Sequence, residues 1–97
     1  MQVFLLNNPS TRAKGYLSRH GFEVAVNVFI VGMSTSDAHW LFEELTDLLA
    51  SPPSGVLWVS PSTVQPWFSY KGFGNCGNLM RIIDGIPLKT VRDKKTL

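Results

Sequence analysis

Residues 23–30, Glu-Val-Ala-Val-Asn-Val-Phe-Ile, are apolar and mostly β-branched at nearly every position. A strand with one wet face alternates apolar and polar side chains, so a run apolar on both parities predicts a central strand covered on both sides. Gln2 to Leu6 has the same character. Between the two, Asn7, Asn8 and Pro9 break the first run. Ser10 or Thr11 can then cap a helix whose apolar side uses Ala13, Tyr16, Leu17 and His20. Gly21 ends that helix as a C′ residue, while Gly15 inside it costs roughly 1 kcal/mol against Ala. Strand, helix and strand in that order predict a parallel pair joined by a right-handed crossover.

Ser34, Thr35, Ser36 and Asp37 form a cap-rich entrance to a second helix, with Ala38, Leu41, Phe42, Leu45, Leu48 and Leu49 in one apolar stripe. Pro52 and Pro53 stop it. Val56 to Val59 is too short for periodicity to separate a strand from a buried approach to the next turn. From Ser62 to Leu79 the chain holds an aromatic extended piece, a glycine-rich turn and a helix start. Pro66 leads into Trp67 and Phe68 as a proline entering a strand, where its missing N–H is tolerated only at an edge or a strand start. Gly72, Gly74 and Gly77 allow sharp turning and close approach of another molecule. Asn75 to Gly77 can cap a third helix through Leu79, Met80, Ile82 and Ile83. The expectation is one domain over residues 1–97, with 88–97 as a loose basic tail.

Hydrophobic residues are 44% of the chain and charged residues 16%, which suits a folded domain of one core. A formal net charge of +2 argues against a nucleic-acid partner, because phosphate neutralisation needs clustered Lys and Arg, which this reading finds only near the C-terminus. The single cysteine, Cys76, permits no internal disulfide. His20 and His39 lack the companions of a metal site. No apolar run approaches the ~20 residues of a membrane span, and the start lacks a basic lead-in to a signal segment, so the expected location is cytoplasmic with no membrane partner.

Three segments resemble the glutaredoxins. Thr63, Val64, Gln65, Pro66, Trp67 and Phe68 resemble that family's Thr-Val-Pro-Gln-x-Phe. Phe73, Gly74, Asn75, Cys76, Gly77, Asn78 and Leu79 resemble its Ile-Gly-Gly-Cys-Asp-Asp-Leu. Arg12, Ala13 and Lys14, followed by Leu17, Gly21 and Val24, resemble the helix and strand after its Cys-Pro-Tyr-Cys motif. The resemblance implies a thioredoxin/glutaredoxin-like α/β fold, a mixed four-stranded sheet in the order βαβαββα with helices on both faces. It also implies a cis proline at Pro66, against the ordinary trans preference of X-Pro bonds.

The same alignment puts Asn7, Asn8, Pro9 and Ser10 where Cys-Pro-Tyr-Cys stands. Thiol–disulfide exchange needs a thiolate there, and an amide cannot replace it. The proline is also one residue late, and the acidic pair has become Gly77 and Asn78. The expected function is therefore a redox-inactive, degenerate glutaredoxin-like domain, such as would suit a viral or mobile-element gene. It would bind a protein partner, or glutathione weakly, in a groove of Asn7, Asn8, Pro9, Ser10, Lys14, Val64, Gln65, Pro66, Gly74, Asn75, Cys76, Gly77 and Asn78. No other cofactor is implied. One alternative is a glutathione-dependent enzyme using Ser10 or Cys76, although Ser10 is also an ordinary helix cap and a lone cysteine an ordinary small apolar residue. Another is an accidental resemblance in a small α+β interaction domain, with Val56 to Ser60 and Trp67 to Tyr70 forming a hairpin.

Overall fold

In a computed structural model that describes residues 1–49, 53–76 and 79, the elements run β1 (Gln2–Asn7), α1 (Thr11–His20), β2 (Phe22–Ala25), β3 (Val28–Val31), α2 (Thr35–Leu48), β4 (Gly55–Pro61) and β5 (Phe68–Gly74). The strands form one five-stranded sheet in the order β2-β3-β1-β4-β5, with every neighbouring pair antiparallel. The order βαββαβ with β1 at the centre is a ferredoxin-like arrangement, to which β5 adds a hairpin partner for β4.

The run 23–30 is not one strand. Val26 and Asn27 turn the chain, and Asn27 sits in the left-handed region at φ 61°, which Asn tolerates better than other side chains. Its N–H donates to Glu23 Oε2 at 2.8 Å, and its carbonyl accepts from the Leu6 N–H at 2.9 Å. One apolar run thus supplies both arms of a hairpin. β3 is an inner strand with Phe29 and Val31 buried, whereas β2 is an edge with every residue exposed. β1 pairs with β3 antiparallel, from Gln2↔Val31 to Leu5↔Val28, so the expected parallel pairing of the first two strands does not occur. The expected four-stranded mixed sheet with helices on both faces is likewise corrected. Five strands are all antiparallel, and both helices pack on one face.

That face holds the main core. Phe4, Leu6, Phe29, Val31, Val56 and Trp58 project from the sheet against Ala13 and Leu17 of α1 and Ala38, Leu41, Phe42 and Leu45 of α2. Fully burying one such Leu, Val or Phe is worth about 1.5–3 kcal/mol before the entropy of ordering it. Phe4 and Trp58 stack at 6.0 Å between centroids, and Phe42 leans on Trp58 at 5.6 Å. Gln2 is buried among them with its amide satisfied, accepting from Trp58 Nε1 at 3.0 Å and donating to the Met33 carbonyl at 3.2 Å. Both helices start as their sequences predict, with Ser10 Oγ accepting from the Ala13 N–H and Ser34 Oγ from the Asp37 N–H. Gly21 is needed for a different reason from the one expected. Its backbone is extended rather than left-handed, and a Cβ there would lie 2.5 Å from the Ile30 carbonyl oxygen.

Neither α1 nor α2 covers the opposite face. Val3, Leu5, Val28, Leu57, Val59 and Phe68 form a second apolar cluster there, and Leu79 packs against it. Val56–Val59 is the middle of β4, which pairs with β1 on one side and β5 on the other. The expected third helix lies outside the described residues apart from Leu79, and so does the tail.

Candidate functional site

The groove expected from the sequence is split between the two ends of the β4–β5 hairpin. At one end Asn7, Asn8, Gly74 and Asn75 are knitted together with Ser54. Asn7 Nδ2 donates to the Asn75 carbonyl at 2.7 Å, Ser54 Oγ to the Asn8 carbonyl at 2.6 Å, and the Asn75 N–H to the Ser54 carbonyl at 3.1 Å. Asn8 at φ 46° and Gly74 at φ 73° supply the bends. Pro9 and Ser10 follow, and the Ser10 hydroxyl is held by its own helix at Ala13. Cys76 is half-buried, and its Sγ packs on Gly72, where a Cβ would come within 2.9 Å of it. Lys14 meets a carboxylate of its own chain, Glu23, at 3.2 Å. That contact and the Asn27 N–H hold the Glu23 carboxyl below its ordinary range, the backbone hydrogen bond being the larger cause.

Val64, Gln65 and Pro66 lie at the other end, in the turn between β4 and β5. Strands of seven residues put roughly 20 Å between the two ends. The Gln65–Pro66 bond is cis. Gly77 and Asn78 lie outside the described residues.

What the structure gathers instead is charge, on α1. Met1 to Phe22 contains no Asp or Glu, and its cations Arg12, Lys14 and Arg19 all stand on this helix. Arg12 and Arg19 are seven residues apart, so they lie on one side of the helix. They flank a cleft floored by Tyr16 and faced by Glu44, Asp47 and Leu48 of α2. Lys14 is committed to Glu23, but neither arginine reaches a carboxylate within salt-bridge distance among the described residues. The Tyr16 hydroxyl is buried there without a hydrogen-bond partner. Burial first, and then the nearby Glu44 charge, push its pKa up, so it stays a neutral donor. α2 has the opposite sign, with Asp37, Glu43, Glu44 and Asp47. The net charge hides this division, but the acid-free opening of the chain was legible in the sequence.

A second feature is the hairpin turn. Trp67 is held at φ 80°, where an L side chain costs roughly 1–2 kcal/mol, and its ring is 60% exposed. Its N–H donates to the Val64 carbonyl at 2.8 Å and its carbonyl accepts from the Ser62 N–H at 2.9 Å, so the tip is fixed. Among the described residues no three His, Cys, Asp or Glu side chains gather where they could hold a metal ion. No helix among them is long and apolar enough to cross a membrane.

Residues 1–88 match the family described as CRISPR-associated protein (Cas_Cas2CT1978). The chain belongs to that family. No curated protein matches it. Membership of a Cas2-type family over nearly the whole chain overturns the glutaredoxin resemblance, and with it the redox-inactive glutathione-groove function and the glutathione-dependent enzyme. The topology gives the reason. The segments that resembled glutaredoxin matched in local composition, but the Cas2-type chain folds 23–30 into a hairpin and pairs 55–61 with 68–74. The sulfur-free residues Asn7 to Ser10 are a strand end and a helix cap, and no vanished Cys-x-x-Cys motif is needed to explain them.

Proposed function

We propose that the chain serves a CRISPR-associated role of the Cas2 type by binding a nucleic-acid backbone along α1. The observation that carries this reading is the pair of uncommitted guanidiniums, Arg12 and Arg19, on a helix with no acidic residue. A guanidinium presents a planar fork that matches phosphate oxygens, and each phosphate neutralised releases condensed counterions. The net charge of +2 argued against such a partner at the level of the whole chain. It averages over the whole chain, whereas a nucleic acid meets a local surface, and although Glu44 and Asp47 face this cleft, neither pairs with Arg12 or Arg19.

The second face of the sheet, which among the described residues is covered only by Leu79, supports an assembly for this role in which two copies pair face to face. It carries Val3, Val28, Val59 and Phe68, all half-buried, beside Tyr70 of β5, and it continues at the edge into Phe22 at 71% exposure and Val24 at 49%. A partner surface bearing charge would have to be desolvated against it without a counter-charge, whereas a second copy brings an identical flat apolar face. Pairing would also set two α1 helices on the outside of one particle, doubling the phosphate contacts.

Fluorescence anisotropy with a labelled DNA duplex, repeated across a salt series, tests the reading. Binding should weaken steeply with salt, and the double variant Arg12→Ala/Arg19→Ala should lower the slope of log affinity against log salt by about 2, one for each lost phosphate contact. A salt slope equal to that of the unaltered chain would remove α1 from the interface.

A further inference from the structure

The turn at the far end of the β4–β5 hairpin is not used by the α1 reading, yet the fold holds it in a costly shape. Trp67 is kept in the left-handed region with its ring exposed, and Val64 beside it is 69% exposed. A glycine at 67 would relieve the backbone, whereas Trp67 carries a large exposed aromatic side chain there. Just past this turn, a pocket opens on the helix side of the sheet between β4, β5 and the start of α2, lined by Thr35, Ser60, Ser69, Tyr70 and Lys71 among others. The Thr35 and Ser60 hydroxyls stand 3.3 Å apart in it, and Ser60 is buried. Lys71 lies over the Phe42 ring, 5.3 Å from its centroid, and meets no carboxylate within salt-bridge distance among the described residues. Trp67 stands two residues, roughly 7 Å of strand, before Ser69.

We propose that this end of the hairpin binds a nucleotide of a single strand, with the base stacked on Trp67 and a phosphate taken by Lys71 and the hydroxyls of Thr35, Ser60 and Ser69. The inference rests on the reading that the chain handles nucleic acid, but it uses a surface at the opposite end of the sheet from Arg12. Stacking on an exposed indole requires an unpaired base, which selects a single strand over a duplex. An ammonium beside hydroxyls further along the hairpin matches an anionic phosphate of the same strand. The Lys71 ammonium, held over Phe42 without a carboxylate among the described residues, is a group that a nucleotide phosphate could meet and an apolar protein contact on Trp67 could not. Sequence tolerance is expected, because nothing in the pocket reads a base edge.

A fluorescein-labelled twelve-residue oligothymidylate is the probe, titrated into the full chain at low salt, with tryptophan emission and anisotropy read together. The expected result is binding with quenched emission. Trp67→Ala should weaken it about ten-fold with loss of most of the quenching, in line with the usual worth of one base–aromatic stack. Trp67→Phe should keep most of the affinity. Trp67→Gly removes the backbone strain, so it should fold at least as well as the original and still lose binding. Lys71→Ala should weaken binding and lower the single-strand salt slope by about 0.7. Oligothymidylate affinity that Trp67→Ala and Trp67→Gly leave unchanged would overturn the inference. So would tryptophan emission that ignores the oligonucleotide and follows only protein concentration, which would make the tip a protein contact. Duplex binding with no oligothymidylate binding removes this inference alone, whereas Trp67-dependent oligothymidylate binding without an Arg12 and Arg19 effect on duplex removes the α1 reading alone.

Discussion

The two faces of the sheet are built from the same strands and differ in what closes them. On one face every inward residue of β1, β3 and β4 meets a helix, and Phe4, Phe29 and Val56 are wholly buried. On the other, only Leu57 is wholly buried and Leu5 nearly so, while Val3, Val28 and Val59 around them stay half-buried. Alternation along a strand sends neighbouring residues to opposite faces, so Leu5 and Leu57 are as apolar as Phe4 and Val56 without being part of the same core. The difference teaches that hydrophobicity on both parities of a strand marks two separate clusters, of which α1 and α2 close only one. A partner can supply the second cover.

The largest effect should come from breaking the closed face. Phe4→Ala removes the ring stacked on Trp58 and leaves a cavity that two helices and a sheet cannot easily collapse, so the loss should be about 3–5 kcal/mol by urea unfolding. The comparison is then broken from the other side by Val59→Asp. A charge at this half-buried position should cost the isolated chain much less than Phe4→Ala, yet abolish pairing of two copies, because a carboxylate would be desolvated in an apolar interface. If two copies pair as proposed, sedimentation equilibrium should report a dimer for the unaltered chain and a monomer for Val59→Asp. If Val59→Asp unfolds the chain as badly as Phe4→Ala, the second face is an internal core and the asymmetry is lost.

The same asymmetry explains how much of this fold was legible in the sequence. The two helices were read correctly, because each has a hydroxyl cap and an apolar stripe, signals that survive without tertiary context. The strands were read as apolar segments; the first two were paired wrongly, while the alternative's hairpin of Val56 to Ser60 with the segment after Pro66 does form. Residues 23–30 carry a turn without Gly, Pro or Asp, made by Asn27 and fastened through Glu23 and Leu6, and those partners are fixed only in the folded chain. A double-sided run was therefore assigned to one buried strand, and the parallel crossover and the glutaredoxin order followed from it. The site was less legible still. Arg12, Lys14 and Arg19 were visible, with no acidic residue before Glu23, but their charge was averaged into that of the whole chain. The exposure of Trp67 has no sequence signature, since an aromatic residue in such a composition is ordinarily core.

A smaller effect separates the edges of the sheet. The β2 edge depends on the carboxylate that fastens its turn, since Glu23 accepts from the Asn27 N–H at 2.8 Å and meets Lys14 at 3.2 Å. The β5 edge depends on no carboxylate among the described residues, its far end being closed by the Asn75 N–H on Ser54 and the Asn7 amide on Asn75. Because these contacts lower the pKa of Glu23 in the folded chain, the stability it adds is present above the ordinary glutamate range and is lost as pH falls through the depressed folded value. Acidification should therefore loosen the β2–β3 turn while leaving the β4–β5 hairpin protected. Glu23→Gln should bring that looser turn to neutral pH and flatten its acid dependence, because the amide oxygen still accepts a hydrogen bond but carries no charge for Lys14. Amide hydrogen exchange at Asn27 and at Asn75, compared across the acid range, checks this directly. Equal acid sensitivity at both edges would show that the fastening of the two turns does not differ in kind.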